Sequence, residues 1–137
     1  MRTMLMVLGF VVVGCGPSQI PLGQPFSDTL TSMDSVWTQH LSDGETLRGY
    51  YRDYVVQVKA GFRYTVVFGS NTGHGSFEDE GSGNFLLGGG VACKSFGLAT
   101  NPRTVTWIPA ETGLNKVDVN AQTQNVPLTF TVEITPQ

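Results

Sequence analysis

The sequence has few of the residues that form catalytic or metal centres. It contains two histidines, His40 and His74, and two cysteines, Cys15 and Cys93, and the members of each pair lie far apart along the chain. Neither histidine has a second ligand at the spacing that zinc sites use. The glycine-rich residues 69–90 match neither the hydrolase nucleophile motif nor a nucleotide-binding fingerprint. Because nucleophile and acid–base constellations are missing, the sequence predicts a protein that is not an enzyme.

The sequence also lacks clustered positive charge and long apolar runs. Charged residues make up 14% of the 137 residues, the net charge is −3, and no run of Lys or Arg occurs. A basic stripe is the usual sign of nucleic-acid binding, so no nucleic-acid partner is predicted. Beyond residue 15, no segment approaches the ~18 consecutive apolar residues of a membrane helix. The length and composition therefore indicate one globular domain, and no small-molecule substrate is identified.

The N-terminal segment carries the clearest signal in the chain. Arg2 gives a basic start, residues 4–13 form an apolar run, and Gly14 precedes Cys15. A basic segment, an apolar segment and a small residue at the cleavage site define a secretory leader. Residues 12–15, with the sequence VVGC, resemble the lipobox of bacterial lipoproteins.

The lipobox resemblance implies that residues 1–14 are a signal peptide and that Cys15 carries lipid. Two or more acyl chains anchor a protein stably, so the membrane is the implied partner of the N-terminus. An aspartate after the cysteine favours inner-membrane retention, and Gly16 at this position points to the outer membrane of a bacterial envelope. Residues 15–24 are predicted to form a lipidated tether. With Cys15 acylated, Cys93 has no partner for an intramolecular disulfide and is predicted to be a small buried hydrophobe.

Residues 25–137 show the two-residue periodicity of β-strands. Apolar side chains alternate with polar ones at residues 54–58, 62–68 and 128–134. The glycine-containing turn at 59–61 lies between the first two runs and predicts a β-hairpin. Several short strands of this kind predict an all-β domain, a two-sheet antiparallel β-sandwich.

Two segments do not follow this alternation. Residues 69–90 contain eight glycines and an acidic triplet, which predicts a long mobile loop leading into a short strand at 85–87. Residues 28–41 have no clear period, which leaves a short helical turn open as an interpretation.

Six short motifs follow one another in a recognisable order. They are a Leu-Arg-Gly start at 47–49, an Asp-Tyr strand at 53–58, a Lys-Ala-Gly turn at 59–61, an aromatic strand at 62–66, a Trp-x-Pro segment at 107–113 and an alternating strand at 130–134. Their order over residues 45–134 resembles the bacterial pre-peptidase C-terminal domain. The resemblance implies a jelly-roll-like β-sandwich, and some related domains bind calcium. It implies a fold rather than a catalytic activity.

The acidic triplet is the candidate metal site. Glu78, Asp79 and Glu80 offer the hard oxygen ligands that Ca²⁺ prefers, although Ca²⁺ takes about six to eight of them. The alternative interpretation is a solvated acidic loop. No other cofactor is predicted.

Aromatic residues form a second candidate site. Tyr50, Tyr51 and Tyr54 lie close together in the sequence, and Trp37 and Trp107 lie elsewhere. Exposed aromatic rings can stack on the faces of sugars, because they combine apolar area with a polar group. The alternative is that alternate tyrosines enter the core and the others pack on the surface of the sheet.

These observations favour a non-catalytic, lipid-anchored lipoprotein of the bacterial envelope. The β-sandwich would act as a structural or protein-binding module, with an envelope protein as its expected partner and possible membership of a larger surface assembly. The alternative function is a calcium- or glycan-binding β-sandwich domain.

Overall fold

The computed structural model describes residues 16–87 and 97–137, which contain ten β-strands and one 3-10 turn at Thr123–Asn125. Cys15 and Cys93 lie outside the described residues. No helix within the described part of the chain is long and apolar enough to cross a membrane. The strands are β1 (Ser18–Gln19), β2 (Phe26–Leu30), β3 (Ser35–His40), β4 (Thr46–Val58), β5 (Tyr64–Ser70), β6 (Ser76–Asp79), β7 (Asn84–Leu87), β8 (Arg103–Trp107), β9 (Gly113–Gln122) and β10 (Leu128–Pro136).

The strands form two sheets that pack face to face. The first sheet has six strands in the order β1-β4-β9-β6-β7, and β3 also pairs with β4. The second sheet has four strands in the order β2-β10-β5-β8. Neighbouring strands are antiparallel except β1 and β4, which are parallel. The prediction of an all-β, two-sheet β-sandwich is confirmed.

The core lies between the sheets and consists of residues that the alternation placed on one face of each strand. The alternate residues of β10 from Leu128 to Ile134 are all at most 1% exposed. Phe130 stacks on Phe68 of the neighbouring strand, with 5.7 Å between the ring centroids. Tyr54 meets Phe130 edge-on from the first sheet at 5.9 Å. These three rings join the two sheets at the centre of the domain.

The predicted hairpin of residues 54–68 is wrong, although all its predicted inward-facing residues except Phe62 are buried. β4 pairs with strands of the first sheet and β5 with strands of the second, so residues 59–63 cross from one sheet to the other. Alternation identifies the buried face of a strand but not its neighbour, and two strands on opposite sides of one core show the same pattern. Phe62, expected on the buried face, lies in this crossing and is 56% exposed.

The sandwich begins earlier than the predicted domain start at residue 25. Ser18 and Gln19 pair with Tyr54 and Val55 of β4, in the segment predicted to be a free tether. Ile20, the next residue, is completely buried in the core. The prediction of a tether is therefore wrong for these residues, because an apolar side chain and two backbone pairings dock them on the domain.

The predicted loop at residues 69–90 also contains regular structure. β6 lies inside the first sheet between β9 and β7, and the predicted strand at 85–87 forms part of β7. Residues 88–90 lie outside the described part of the chain. Burial of Phe77 against Phe68 explains why this glycine-rich segment is held in the sheet. The ambiguous residues 28–41 form strands and a turn rather than a helical turn.

Candidate functional site

The outer face of the first sheet carries an open cleft of about 560 Å³. Val117 and Val119 face the core, so the alternate residues Asp118 and Asn120 point away from it. Residues from β3, β4, β6, β7 and β9, together with Glu80 just after β6, contribute to the cleft, which therefore crosses the sheet. It is lined by Trp37, Thr38, Gln39, Tyr51, Glu78, Glu80, Phe85, Asp118 and Asn120.

The strand register places three carboxylates side by side on the outer face of the first sheet. Glu78 of β6 pairs with Asp118 of β9, and Asp118 pairs with Asp53 of β4. Cross-strand neighbours on one face lie about 4.5–5.5 Å apart at their Cβ atoms. Glu80 follows β6 and extends this row, so four acidic side chains lie close together on one face.

Three of these carboxylates approach one another closely enough to ligate one cation. One carboxylate oxygen from each of Asp53, Glu80 and Asp118 lies within 4.8 Å of the others. Asp118 is only 5% exposed, and its Oδ1 accepts a hydrogen bond of 2.5 Å from Nδ2 of Asn120. Oδ1 of Asp53 is buried and accepts no hydrogen bond from a described residue. We call Asp53, Glu78, Glu80 and Asp118 the carboxyl cluster.

Burial and the neighbouring carboxylates raise the pKa values of two members of the carboxyl cluster, Glu80 and Asp118. Burial is the largest cause that raises the pKa of Glu80 to about 7, and a hydrogen bond with Asp53 adds to it, while Lys116 opposes the rise. Burial also raises the pKa of Asp118 to about 9; the hydrogen bond from Asn120 opposes the rise, whereas hydrogen bonds with Glu78 and Glu80 and the negative charge of Glu78 add to it. With these pKa values Asp118 holds a proton at neutral pH and Glu80 is partly protonated, so these two carboxyl groups can both donate and accept hydrogen bonds.

The donor set of the carboxyl cluster fits a hard cation by its chemistry. Asp53, Glu80 and Asp118 would supply oxygen ligands, which Ca²⁺ prefers. A cation at this position would have to displace the proton that Asp118 holds at neutral pH and the partial protonation of Glu80.

The structure divides the candidate calcium triplet between two faces of the sheet. Glu78 and Glu80 line the cleft, whereas Asp79 points toward the interior and is 6% exposed. Oδ2 of Asp79 accepts a hydrogen bond of 3.0 Å from Nε1 of Trp107 in the second sheet. Successive residues of a strand point to opposite faces, so three consecutive carboxylates cannot converge there. Asp79 therefore has a structural contact instead of a place in the cleft.

The structure also divides the candidate sugar-binding aromatics. Trp37 and Tyr51 line the cleft, and Phe85, 39% exposed, adds a third ring. Trp107 and Tyr54 are buried in the core and cannot contact a ligand on this face. The alternation of β4 explains the difference between Tyr51 and Tyr54, which lie on opposite faces.

Gly49 determines the position of the Trp37 ring. The two residues are cross-strand partners on the outer face of the sheet. A Cβ atom at residue 49 would lie 2.6 Å from the indole ring of Trp37 and would also collide with the carbonyl oxygen of Ala121. The absence of a side chain therefore lets the indole lie directly over the backbone of β4.

Asp53, Asp118 and Asn120 were not among the candidate residues from the sequence. Each is a polar residue at an outward position of a strand whose inward positions are apolar, which is the pattern of any solvated face. The signal that the sequence offered for these residues was the presence of polar side chains at the outward positions of β4 and β9. Their proximity depends on the pairing of β4 with β9 and of β9 with β6.

Comparison of the chain with family models, curated proteins and solved structures gives no match.

Proposed function

We propose that this protein is a non-catalytic, lipid-anchored binding module of the bacterial envelope, and that it binds a glycan in the cleft of the first sheet. The observation that carries the proposal is the presence of Trp37 and Tyr51 in the same cleft as Asp118 and Asn120. Aromatic rings offer flat apolar surfaces, and the polar side chains beside them offer hydrogen bonds to hydroxyl groups.

The polarity of the cleft favours a neutral or amino sugar over an acidic one. Glu78, Glu80 and Asp118 lie at the cleft, and a ligand carboxylate would be repelled by those that are ionised. A protonated carboxyl group donates to a sugar oxygen, whereas an ionised one accepts from a hydroxyl or an ammonium group. The open shape and the contributions of five strands suit an extended chain of sugar units.

The anchor rests on the leader and on the lipobox resemblance at residues 12–15. The proposed mature protein begins at Cys15 with acyl chains in the outer membrane, and the β-sandwich presents its cleft at the membrane surface. Such a module would hold an envelope glycan, or a particle that carries one, close to the membrane.

Titration calorimetry of the protein with neutral, amino and acidic oligosaccharides tests the cleft. We expect Trp37→Ala and Tyr51→Ala each to weaken binding of the best ligand about tenfold, since an aromatic contact contributes about 0.5–1.5 kcal/mol beyond its buried area. Phe62→Ala is the matched control, because this aromatic ring is 56% exposed and lies outside the cleft. Equal affinity in the cleft variants and the control would refute glycan binding at this site.

Mass spectrometry of membrane-purified protein tests the anchor. We expect an N-terminal peptide that begins at Cys15 and carries added lipid mass. Cys15→Ala should leave unprocessed precursor or an unanchored product. A mature protein that still begins at Met1 would contradict this part of the proposal.

A further inference from the structure

The N-terminal end of β1 lies on the same edge of the first sheet as β3. Ser18 pairs with Tyr54, and Ser35 pairs with Tyr51, three residues away along β4. The other edge of β4 is occupied by β9, so β1 and β3 share the remaining one. Three residues of a strand span about 10 Å, which is therefore the distance between the pairing positions of Ser18 and Ser35.

The proposed lipid attachment site is close to this edge because the chain between them is short. Cys15 precedes Ser18 by three residues. Three residues reach at most about 11 Å even when fully extended. Acyl chains on Cys15 would therefore hold the edge of β1 and β3 beside the bilayer.

The turn between β2 and β3 projects an apolar side chain from this edge. Met33 is 92% exposed, the highest value among the exposed large apolar residues described, and Val36 is 62% exposed. The backbone N–H of Thr31 donates to Oδ2 of Asp34 at 2.8 Å. The backbone N–H of Met33 donates to Oγ1 of Thr31 at 3.2 Å. These hydrogen bonds hold the turn in the shape that keeps Met33 at its tip.

The charges beside the turn are paired. Arg52 donates to both carboxylate oxygens of Asp34, at 2.7 and 2.8 Å, and to Asp28 at 2.7 Å. Oδ2 of Asp28 also accepts a hydrogen bond from the hydroxyl of Tyr54. Pairing of these groups lowers the cost of placing the turn against a membrane interface.

We infer that Met33 and Val36 form a membrane-contacting patch that seats the anchored domain on the bilayer with the edge of β1 and β3 facing the lipid. The inference rests on the proposed acylation of Cys15. The occupant is the lipid interface, because two apolar side chains are too few to bind a membrane alone but are brought to it by the anchor. In this orientation an edge of the first sheet, rather than a face, contacts the membrane. The cleft on the outer face of that sheet therefore opens parallel to the membrane surface and not toward it.

The methyl groups of the protein provide a test without any substitution. Met33 is the one methionine after residue 14, and the isoleucines are Ile20, Ile108 and Ile134. The acylated protein, labelled with ¹³C in its Met and Ile methyl groups, is placed in nanodiscs whose lipids carry a spin label in the acyl chain. Ile108 is the matched control, because it is 50% exposed and follows β8, at the edge of the second sheet opposite to β2.

We expect the Met33 methyl signal to lose most of its intensity to the spin-labelled lipid, and the Ile108 signal to keep most of its own. A sharp Met33 signal, or equal losses at Met33 and Ile108, would overturn the inference and leave the anchor intact. A mass spectrum of the same sample without lipid on Cys15 would overturn the inference together with the proposed anchor. In the unanchored product of Cys15→Ala, from which the leader has been removed, both signals should stay sharp with the same nanodiscs. A loss at Met33 in that product would show that the contact does not depend on the anchor and would overturn the inference as stated.

Discussion

Asp79 and Trp107 join the two sheets through a buried hydrogen bond of 3.0 Å between Oδ2 and Nε1. Their side chains belong to β6 and β8, and the two residues are 6% and 2% exposed. The second oxygen of Asp79 accepts a hydrogen bond from the backbone N–H of Gly81 at 3.1 Å. A residue from the candidate calcium triplet therefore stabilises the connection between the sheets.

Removal of the Asp79 carboxylate should destabilise the domain. In Asp79→Ala the indole N–H of Trp107 stays buried without its acceptor, which we expect to lower the free energy of unfolding by about 1–3 kcal/mol. Asp79→Asn keeps one acceptor and should cost less. Glu80→Ala is the control, because Glu80 is the neighbouring acid on the cleft face. Urea denaturation measures the difference, and equal losses for Asp79→Ala and Glu80→Ala would contradict the structural role.

The two faces of β10 should differ in their tolerance of truncation. Phe130 is 1% exposed and contacts two other aromatic rings, so Phe130→Ala should lower the free energy of unfolding by about 3–5 kcal/mol. Thr131 points outward, where its hydroxyl lies 2.8 Å from that of Ser27. Thr131→Ala should cost well under half as much. If thermal and urea denaturation showed equal costs, the register of β10 would be wrong.

The carboxyl cluster should make the domain less stable at alkaline pH. Folding raises the pKa of Asp118 from 3.8 to about 9 and that of Glu80 from 4.5 to about 7, chiefly by burial. The native state therefore holds protons that the unfolded chain has already released. The stabilisation from protonation is present in full below the unfolded pKa values near 4 and is lost as the pH rises through about 7 to 9.

Substitution of Asp118 tests this pH dependence. Asp118→Asn removes the proton uptake that folding requires at this carboxyl group above its unfolded pKa, so we expect it to raise the melting temperature by several degrees at about pH 8 and by much less at about pH 5. Glu111→Gln is the control, since Glu111 is exposed and lies outside the carboxyl cluster. Parallel pH profiles for the wild type and Asp118→Asn would show that the cluster is not the source of the pH dependence.

Calcium should leave the melting temperature unchanged at neutral pH. One carboxylate of the sequence triplet is bound to Trp107, and two of the three that do converge, Glu80 and Asp118, have raised pKa values, so a cation must displace protons from them. A calcium titration followed by differential scanning calorimetry, with magnesium in parallel, measures the effect. A calcium-dependent rise that disappears in Asp53→Asn would reverse this prediction and identify the cluster as a calcium site.

The inward faces of the strands could be predicted from the sequence. Alternation at residues 128–134, 54–58 and 64–68 identified buried side chains, because burial of one face is a local property of a strand with a two-residue period. The same alternation indicated the all-β class and the number of sheets. The leader and the lipobox resemblance are also local patterns, which the chain carries before it folds.

The neighbours of each strand were decided by the tertiary structure. β4 is followed in sequence by β5 but pairs with β9, more than fifty residues away, and β6 inserts between β9 and β7. Such pairings depend on non-local contacts and on the closure of long loops, which no local period encodes. The hairpin prediction failed for this reason.

Prediction of the candidate site required both the local alternation of side chains and the non-local pairing of strands. Trp37 and Tyr51 were recognisable as candidate ligand-binding residues from the sequence, but Asp53 and Asp118 had no distinguishing local pattern. In strands whose alternation is clear, such as β4, β5 and β10, the sequence by itself determined which side chains turn outward, since successive side chains of a strand point to opposite faces. Only the tertiary structure, through strand order and register, decided which of those outward side chains meet in the cleft.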